Sequence, residues 1–182
     1  MHNPLANMHI RRDSRSNTFG MVRSNDSQAH QGWDLGAPVG TPVYAISDGS
    51  IVSVQNSDTY VKSTKAGDAF GKHVTLEFTY CGATLYALYG HLSEIWCEVG
   101  DPVSEGWMLG LTGTTGNAQG MKGEDQHLHF QIMTGNQINH GLADKVDPGA
   151  VLDPLPANQA IVDSDPVIQM LRHMIPEIIG HH

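Results

Sequence analysis

The hydrophobic pattern of this chain has a strand period along most of its length. "TPVYAI" (residues 41–46), "GSIVSVQ" (49–55), "HVTLEFT" (73–79), "ATLYALYG" (83–90), "MLGLTG" (108–113) and "HLHFQI" (127–132) set apolar residues between polar or small ones. Such alternation places the two kinds of side chain on opposite faces of a strand. Glycines separate the segments at short intervals, which predicts an all-β sandwich or distorted barrel. Helical spacing occurs only in "DSDPVIQMLRHMIPEI", through Val167, Ile168, Leu171, Met174 and Ile175. Ser164 or Asp165 is the expected cap, Pro166 lies in the first turn, and Pro176 should end or kink the helix. Its apolar stripe is expected to dock on the chain's own sheets. The expected division of the chain is a polar leader over 1–17, a β domain over 18–154 and a C-terminal helical extension over 155–182.

Composition narrows the partners. With 10 basic and 19 acidic residues the net charge is −9, and no Lys/Arg-rich run is present. A nucleic-acid or anionic-membrane surface is therefore not expected. At 40 % apolar residues the 182-residue chain can bury a core, yet no stretch approaches the roughly 18 consecutive apolar residues of a spanning helix. The opening residues lack the apolar centre of a secretory signal, so action outside the cytoplasm would require another export route or a place in a longer protein.

Eleven histidines are present, of which the final "GHH" reads as a tag remnant. His2 and His9 fall in the leader, His73 is expected on an exposed strand face, and His140 in a loop. His30, His91, His127 and His129 carry more information. His127, His129 and Gln131 share one face of a strand expected to be half-buried, with the two imidazoles roughly 7 Å apart. In "HQGWDLGAPVGTP", Asp34 follows His30 by four residues within a Gly- and Pro-rich stretch that argues for a loop entering a strand. With one histidine of "HLH" these two make a three-donor set of the catalytic zinc type; alone they would be a turn-stabilising pair. "LYALYGHLSEI" ends a strand at Gly90 and presents His91 at its exit.

Taken together, "HQGWDL", "YGHLS" and "HLHF", in that order, resemble the lysostaphin-type, or LytM-type, zinc endopeptidases of bacterial cell walls. "GTPVYAISDGSIVSV", "FGKHVTLEF", "VGDPVSEGWMLGLTGTTGNAQG" and the later "VDP" extend the similarity over residues 18 to 154, and this resemblance sets the bounds of the expected β domain. The resemblance implies a LytM-like β fold, zinc held by His30, Asp34 and His129, and a catalytic pair of His91 and His127. Zinc would activate water and polarise the scissile carbonyl, so no serine or cysteine nucleophile is needed. His127 is the expected general base, and His91 the stabiliser of the oxyanion or donor to the leaving amine; the two roles could be exchanged.

Three departures from the family pattern stand out. "NSDTYVKSTKAGDA" interrupts the strand pair before "FGKHV", "GNAQGMKGEDQ" replaces a shorter glycine turn, and Gln131 stands where the family usually has glutamate. Glu124 and Asp125 are either a solvated loop or a selector for an amine-bearing substrate. Cys81 and Cys97 either pair, closing a loop of about 15 residues worth up to ~3 kcal/mol, or stay separate thiols.

The function implied is peptidoglycan endopeptidase activity in the periplasm or outer wall, with a D-alanyl to diaminopimelate cross-link preferred over glycyl-glycine bridges. An antibacterial effector delivered by a type VI or similar secretion system, with a cognate immunity protein, is one context; a catalytic domain of a longer protein is the other. Two rival functions are a non-catalytic wall-binding or amidase-activator module, which usually lacks ligands, and a biotinyl- or lipoyl-type carrier, whose lysine-bearing hairpin is missing.

Overall fold

A computed structural model describes residues 1–58, 60, 66–138, 141–153 and 155. The expectation of an all-β fold holds: among the described residues twelve strands and short 3-10 turns account for the regular structure, and every strand pairing is antiparallel. The strands are β1 (Gly20–Arg23), β2 (Gln28–His30), β3 (Trp33–Gly36), β4 (Pro42–Tyr44), β5 (Gly49–Gln55) and β6 (His73–Tyr80). They continue with β7 (Ala83–Gly90), β8 (Leu92–Ile95), β9 (Pro102–Val103), β10 (Met108–Thr112), β11 (His127–Met133) and β12 (Lys145–Val146). The large sheet runs β12-β11-β7-β6-β5-β9, with β3 also paired to β11; β4-β10-β8 and β1-β2 form smaller sheets. Among the described residues the sheets stay open rather than closing into a barrel, and no helix is long and apolar enough to cross a membrane. The helix expected over 163–178 lies outside the described residues.

The long strands alternate as their sequences require. Val74, Leu76 and Phe78 of β6, Ala87 and Tyr89 of β7, and Leu128, Phe130 and Ile132 of β11 enter one core with Trp33, Leu35 and Ile51. Burying each of the larger side chains contributes about 1.5–3 kcal/mol. Residues 1–17 lie along this core: Leu5 and Ile10 are fully buried, and Ile10 makes an isolated bridge with Leu35.

Two exposures differ from expectation. β11 is buried at all seven positions, not half-buried, because its second face is also covered: Phe70 stacks on His129 and packs with Leu88 and Met133. His73 is 5 % exposed rather than solvated, since the short 3-10 segment Ala66–Phe70 brings the Phe70 ring edge-on against it. Its Nδ1–H donates to the Gly71 carbonyl at 2.8 Å. Cys81 and Cys97 are both free thiols; burial pushes the Cys97 thiol up to about 11.

Candidate metal centre and histidine pair

Strand register brings the polar residues together. In the β3·β11 ladder Asp34 lies opposite His129, and in the β7·β11 ladder His129 lies opposite Gly90, immediately before His91. His30 closes β2 and must turn toward the same point within four residues. Gly32 makes that turn possible: a Cβ there would meet the Phe130 carbonyl at 2.1 Å. On the other side Gly71 and Gly116, both with positive φ, approach so closely that a Cβ on either would meet the other's amide nitrogen at 2.2–2.3 Å. This contact joins the loops that hold His91, whose backbone N–H bonds Phe70 and whose own φ is 62°.

Three donor atoms converge. His30 Nε2 lies 3.1 Å and His129 Nδ1 2.9 Å from Asp34 Oδ1, and the two nitrogens are 3.4 Å apart. This is a group whose ligand atoms all fall within 4.8 Å of one another, with each residue buried. Their outer contacts decide what the inner atoms carry. His30 Nδ1–H donates to the Thr18 carbonyl at 2.8 Å, and His129 Nε2–H to Gln131 Oε1 at 3.1 Å. In neutral imidazoles those protons leave lone pairs on the inward nitrogens, so two lone pairs and a carboxylate oxygen face one point. Such a set fits a tetrahedral Zn²⁺ with a fourth position open. Gln131 supplies the acceptor for His129 Nε2–H without a charge.

His91 and His127 stand beside this group as a pair, with ring centroids 4.9 Å apart and planes at 77°. Each is anchored at Nδ1, His91 to the Thr115 carbonyl at 2.9 Å and His127 to the Asp125 carbonyl at 2.8 Å. Both therefore keep Nε2 as the free position, and His127 Nε2 is 3.7 Å from Asp34 Oδ1. All five residues border an open cleft of about 420 Å³.

Burial controls the charge states. It lowers His91 far below the usual imidazole range, reinforced by repulsion from His127 and His129. Burial also lowers His127 and His129, each partly countered by Asp34. For Asp34 burial acts to raise the pKa, but His30, His129 and His127 outweigh it and hold the carboxyl well below its usual value. Three imidazoles are thus kept neutral beside an ionised carboxylate at neutral pH.

The structure gathers His30, Asp34, His91, His127 and His129 at one place, and leaves His2, His9 and His73 away from it; His140 lies outside the described residues. Sequence reasoning missed Arg11 and Arg23, which also line the cleft. Arg23 Nη2 donates to Asp34 Oδ2 at 2.7 Å and Arg11 Nη2 lies 3.7 Å from it. The available signal was four arginines, at 11, 12, 15 and 23, spaced through the first 23 residues of an acidic chain.

Residues 28–141 match the model of peptidase family M23. The peptidoglycan DD-endopeptidase ShyA of Vibrio cholerae is 35 % identical over 111 residues, or 60 % of this chain and 22 % of ShyA. The glycyl-glycine endopeptidase ALE-1 of Staphylococcus capitis is 35 % identical over 115 residues, 63 % of this chain and 27 % of ALE-1. The chain thus spans about a quarter of the length of these relatives. Among solved structures, a mutant catalytic domain of the prophage-encoded M23 protein EnpA from Enterococcus faecalis superposes with a TM-score of 0.58 at 25 % identity, covering 81 % of this chain and 93 % of that domain. The catalytic domain of lysostaphin from Staphylococcus simulans gives 0.55 at 29 % identity, covering 75 % and 90 %. With the family match spanning well over half of its residues, the chain belongs to peptidase family M23.

Proposed function

We propose that this domain is a zinc-dependent peptidoglycan endopeptidase, with His30, Asp34 and His129 as metal ligands and His91 and His127 as catalytic residues. The observation that carries this reading is the convergence of two imidazole lone pairs and one carboxylate oxygen, with each imidazole's outer N–H bonded to an oxygen. Bound zinc supplies Lewis-acid polarisation of the scissile carbonyl and of an attacking water.

The histidine pair supplies proton transfer. With Nδ1–H held by the Asp125 carbonyl, His127 can accept a proton only at Nε2, where Asp34 Oδ1 at 3.7 Å stabilises the resulting imidazolium. Among the described residues no carboxylate lies this close to His91, which supports His127 as the base. His91 is assigned the later transfer, holding a proton at Nε2 for the leaving amine. The peptide's nitrogen leaves as an amine and the water oxygen remains on the carboxylate product.

The substrate we propose is the D-alanyl to diaminopimelate cross-link. Arg11 and Arg23 face a cleft whose only acidic lining residue among those described is Asp34, a balance that favours a carboxylate-bearing stem peptide over an uncharged glycine bridge. ShyA, named as a DD-endopeptidase, and ALE-1, named as a glycyl-glycine endopeptidase, are equally similar in identity. Digestion of diaminopimelate and pentaglycine walls, followed by mass spectrometry of the fragments, tests both levels. Release from pentaglycine alone overturns the substrate, and no release by zinc-loaded protein overturns the enzyme.

The place of action proposed is the wall compartment, with the protein serving as an antibacterial effector that has a cognate immunity protein. Periplasmic targeting should then kill a Gram-negative host that tolerates cytoplasmic expression. Equal tolerance of both refutes the effector role.

A further inference from the structure

Asp34 uses its two carboxylate oxygens differently. Oδ1 faces His30 and His129, whereas Oδ2 accepts from Arg23 Nη2 at 2.7 Å and lies 3.7 Å from Arg11 Nη2. The Asp34 side chain is only 3 % exposed, so protein donors must satisfy Oδ2 where water scarcely reaches. Both arginines precede residue 28, where the family match begins.

Each guanidinium is itself held in place. Arg23 Nε donates to the Ser16 carbonyl at 3.0 Å. Arg11 Nη2 donates to Asn17 Oδ1 at 2.7 Å, and Asn17 Nδ2 donates back to the Arg11 carbonyl at 2.7 Å. Arg11 Nη1 donates to the Asp125 carbonyl at 3.3 Å, the same oxygen that accepts His127 Nδ1–H. One guanidinium thus contacts both the candidate ligand carboxylate and the acceptor that orients His127.

The geometry points to Arg11 and Arg23 as positioning residues that occupy Oδ2 and leave Oδ1 alone to face the metal, so that the segment before the family match completes the centre. The inference rests on the assignment of His30, Asp34 and His129 as metal ligands. Arginine suits the task because its charge is permanent and its planar fork fixes direction as well as attraction. Two forces compete when either guanidinium is removed. Loss of its positive charge relieves repulsion on the cation, while a freed, buried Oδ2 lets the carboxylate rotate or chelate through both oxygens. Outer partners of metal ligands are typically worth 10–100-fold in metal affinity, which favours positioning.

The test measures zinc affinity by competition with a chromophoric chelator, together with the visible absorption of the Co²⁺-loaded chain; neither readout requires peptidase activity. Arg23→Met and Arg11→Met keep most of the side-chain stem, limiting packing losses. Each should weaken zinc binding by about 10–100-fold and lower the Co²⁺ band intensity as a second carboxylate oxygen joins the metal. Arg23→Lys, which retains one donor toward Oδ2, should recover most of the affinity. Circular dichroism of the zinc-free variants should match that of the unaltered chain, locating the effect at the metal. Failure of the unaltered chain to bind zinc would overturn the ligand assignment and this inference with it. Tight binding in the unaltered chain, with equal or tighter binding in both methionine variants, would overturn this inference alone.

Discussion

The two faces of β11 are equally buried but are held by different forces. On one face Leu128, Phe130 and Ile132 fill space among Trp33, Leu35, Tyr89 and Val146, and Phe130 packs against the Tyr89 ring at 5.3 Å between centroids. On the other, His127, His129 and Gln131 are as enclosed, yet each depends on a particular acceptor or donor. Apolar contact is non-directional and tolerates swaps that keep volume. A hydrogen bond weakens steeply with angle, so the histidine face tolerates little change even where volume is kept. One strand therefore carries a face specified by size and a face specified by direction.

The sharpest test of this contrast is His129→Ala. It should reduce zinc content after dialysis to below about a tenth of the unaltered level, since one of the three proposed ligands is gone, and wall digestion should fall to background. His30→Ala and Asp34→Ala should behave alike. Next come His127→Ala and His91→Ala, expected to keep zinc while turnover falls about 10²–10⁴-fold. Zinc lost from His127→Ala but kept by His129→Ala would exchange their roles, and full digestion by all five variants would remove the enzymatic reading. On the opposite face, Phe130→Ala should cost about 3–5 kcal/mol of stability by denaturant unfolding. Its zinc stoichiometry at low temperature should stay unchanged, because it removes volume and no donor. Equal loss of zinc in Phe130→Ala and His129→Ala would erase the distinction between the faces.

How much of this was visible in the sequence follows from the same physics. The period of β11 put His127 and His129 on one face, and the glycines around His30 and Asp34 pointed to a turn into a strand; both are local consequences of backbone geometry. The acceptors are not local. Thr18, Thr115 and Asp125 act through backbone carbonyls, which any residue type possesses, so no side-chain motif marks them. Arg11 reaches Asp34 because residues 1–17 lie against β3, as the Ile10 bridge to Leu35 shows, and Arg23 reaches it from the end of β1, which pairs with β2. His73 was misplaced because alternation says which residues share a face but not whether Phe70 will cover it.

A smaller effect separates direction from charge within the histidine face. Gln131→Leu keeps the approximate volume but removes the acceptor of His129 Nε2–H, and should weaken zinc binding about tenfold, the low end for an outer-sphere partner. Gln131→Glu restores an acceptor and should lie within a few-fold of the unaltered chain. Equal affinities in the leucine and glutamate variants would show that packing alone orients His129.

The smallest expected effect concerns His73, which is buried like the site histidines but lies outside the cluster. Burial lowers its pKa from the ordinary 6.5, against smaller raising effects from the Gly71 carbonyl and Asp68. Below pH 6.5 the unfolded chain binds a proton at this position that the folded chain resists. The stability His73 contributes is therefore complete above 6.5 and declines as pH falls toward its lowered folded value. The slope from one such group is at most about 1.4 kcal/mol per pH unit. His91, His127 and His129 act with the same sign, so the share of His73 must be read by difference in the zinc-free chain. His73→Asn keeps a short side-chain donor within reach of the Gly71 carbonyl but does not titrate. Its unfolding free energy, measured by urea between pH 7 and 5, should fall less steeply than that of the unaltered chain. Parallel slopes would show that His73 takes up its proton without leaving its contacts with Phe70 and Gly71, and that only the histidines around Asp34 give the domain its acid sensitivity.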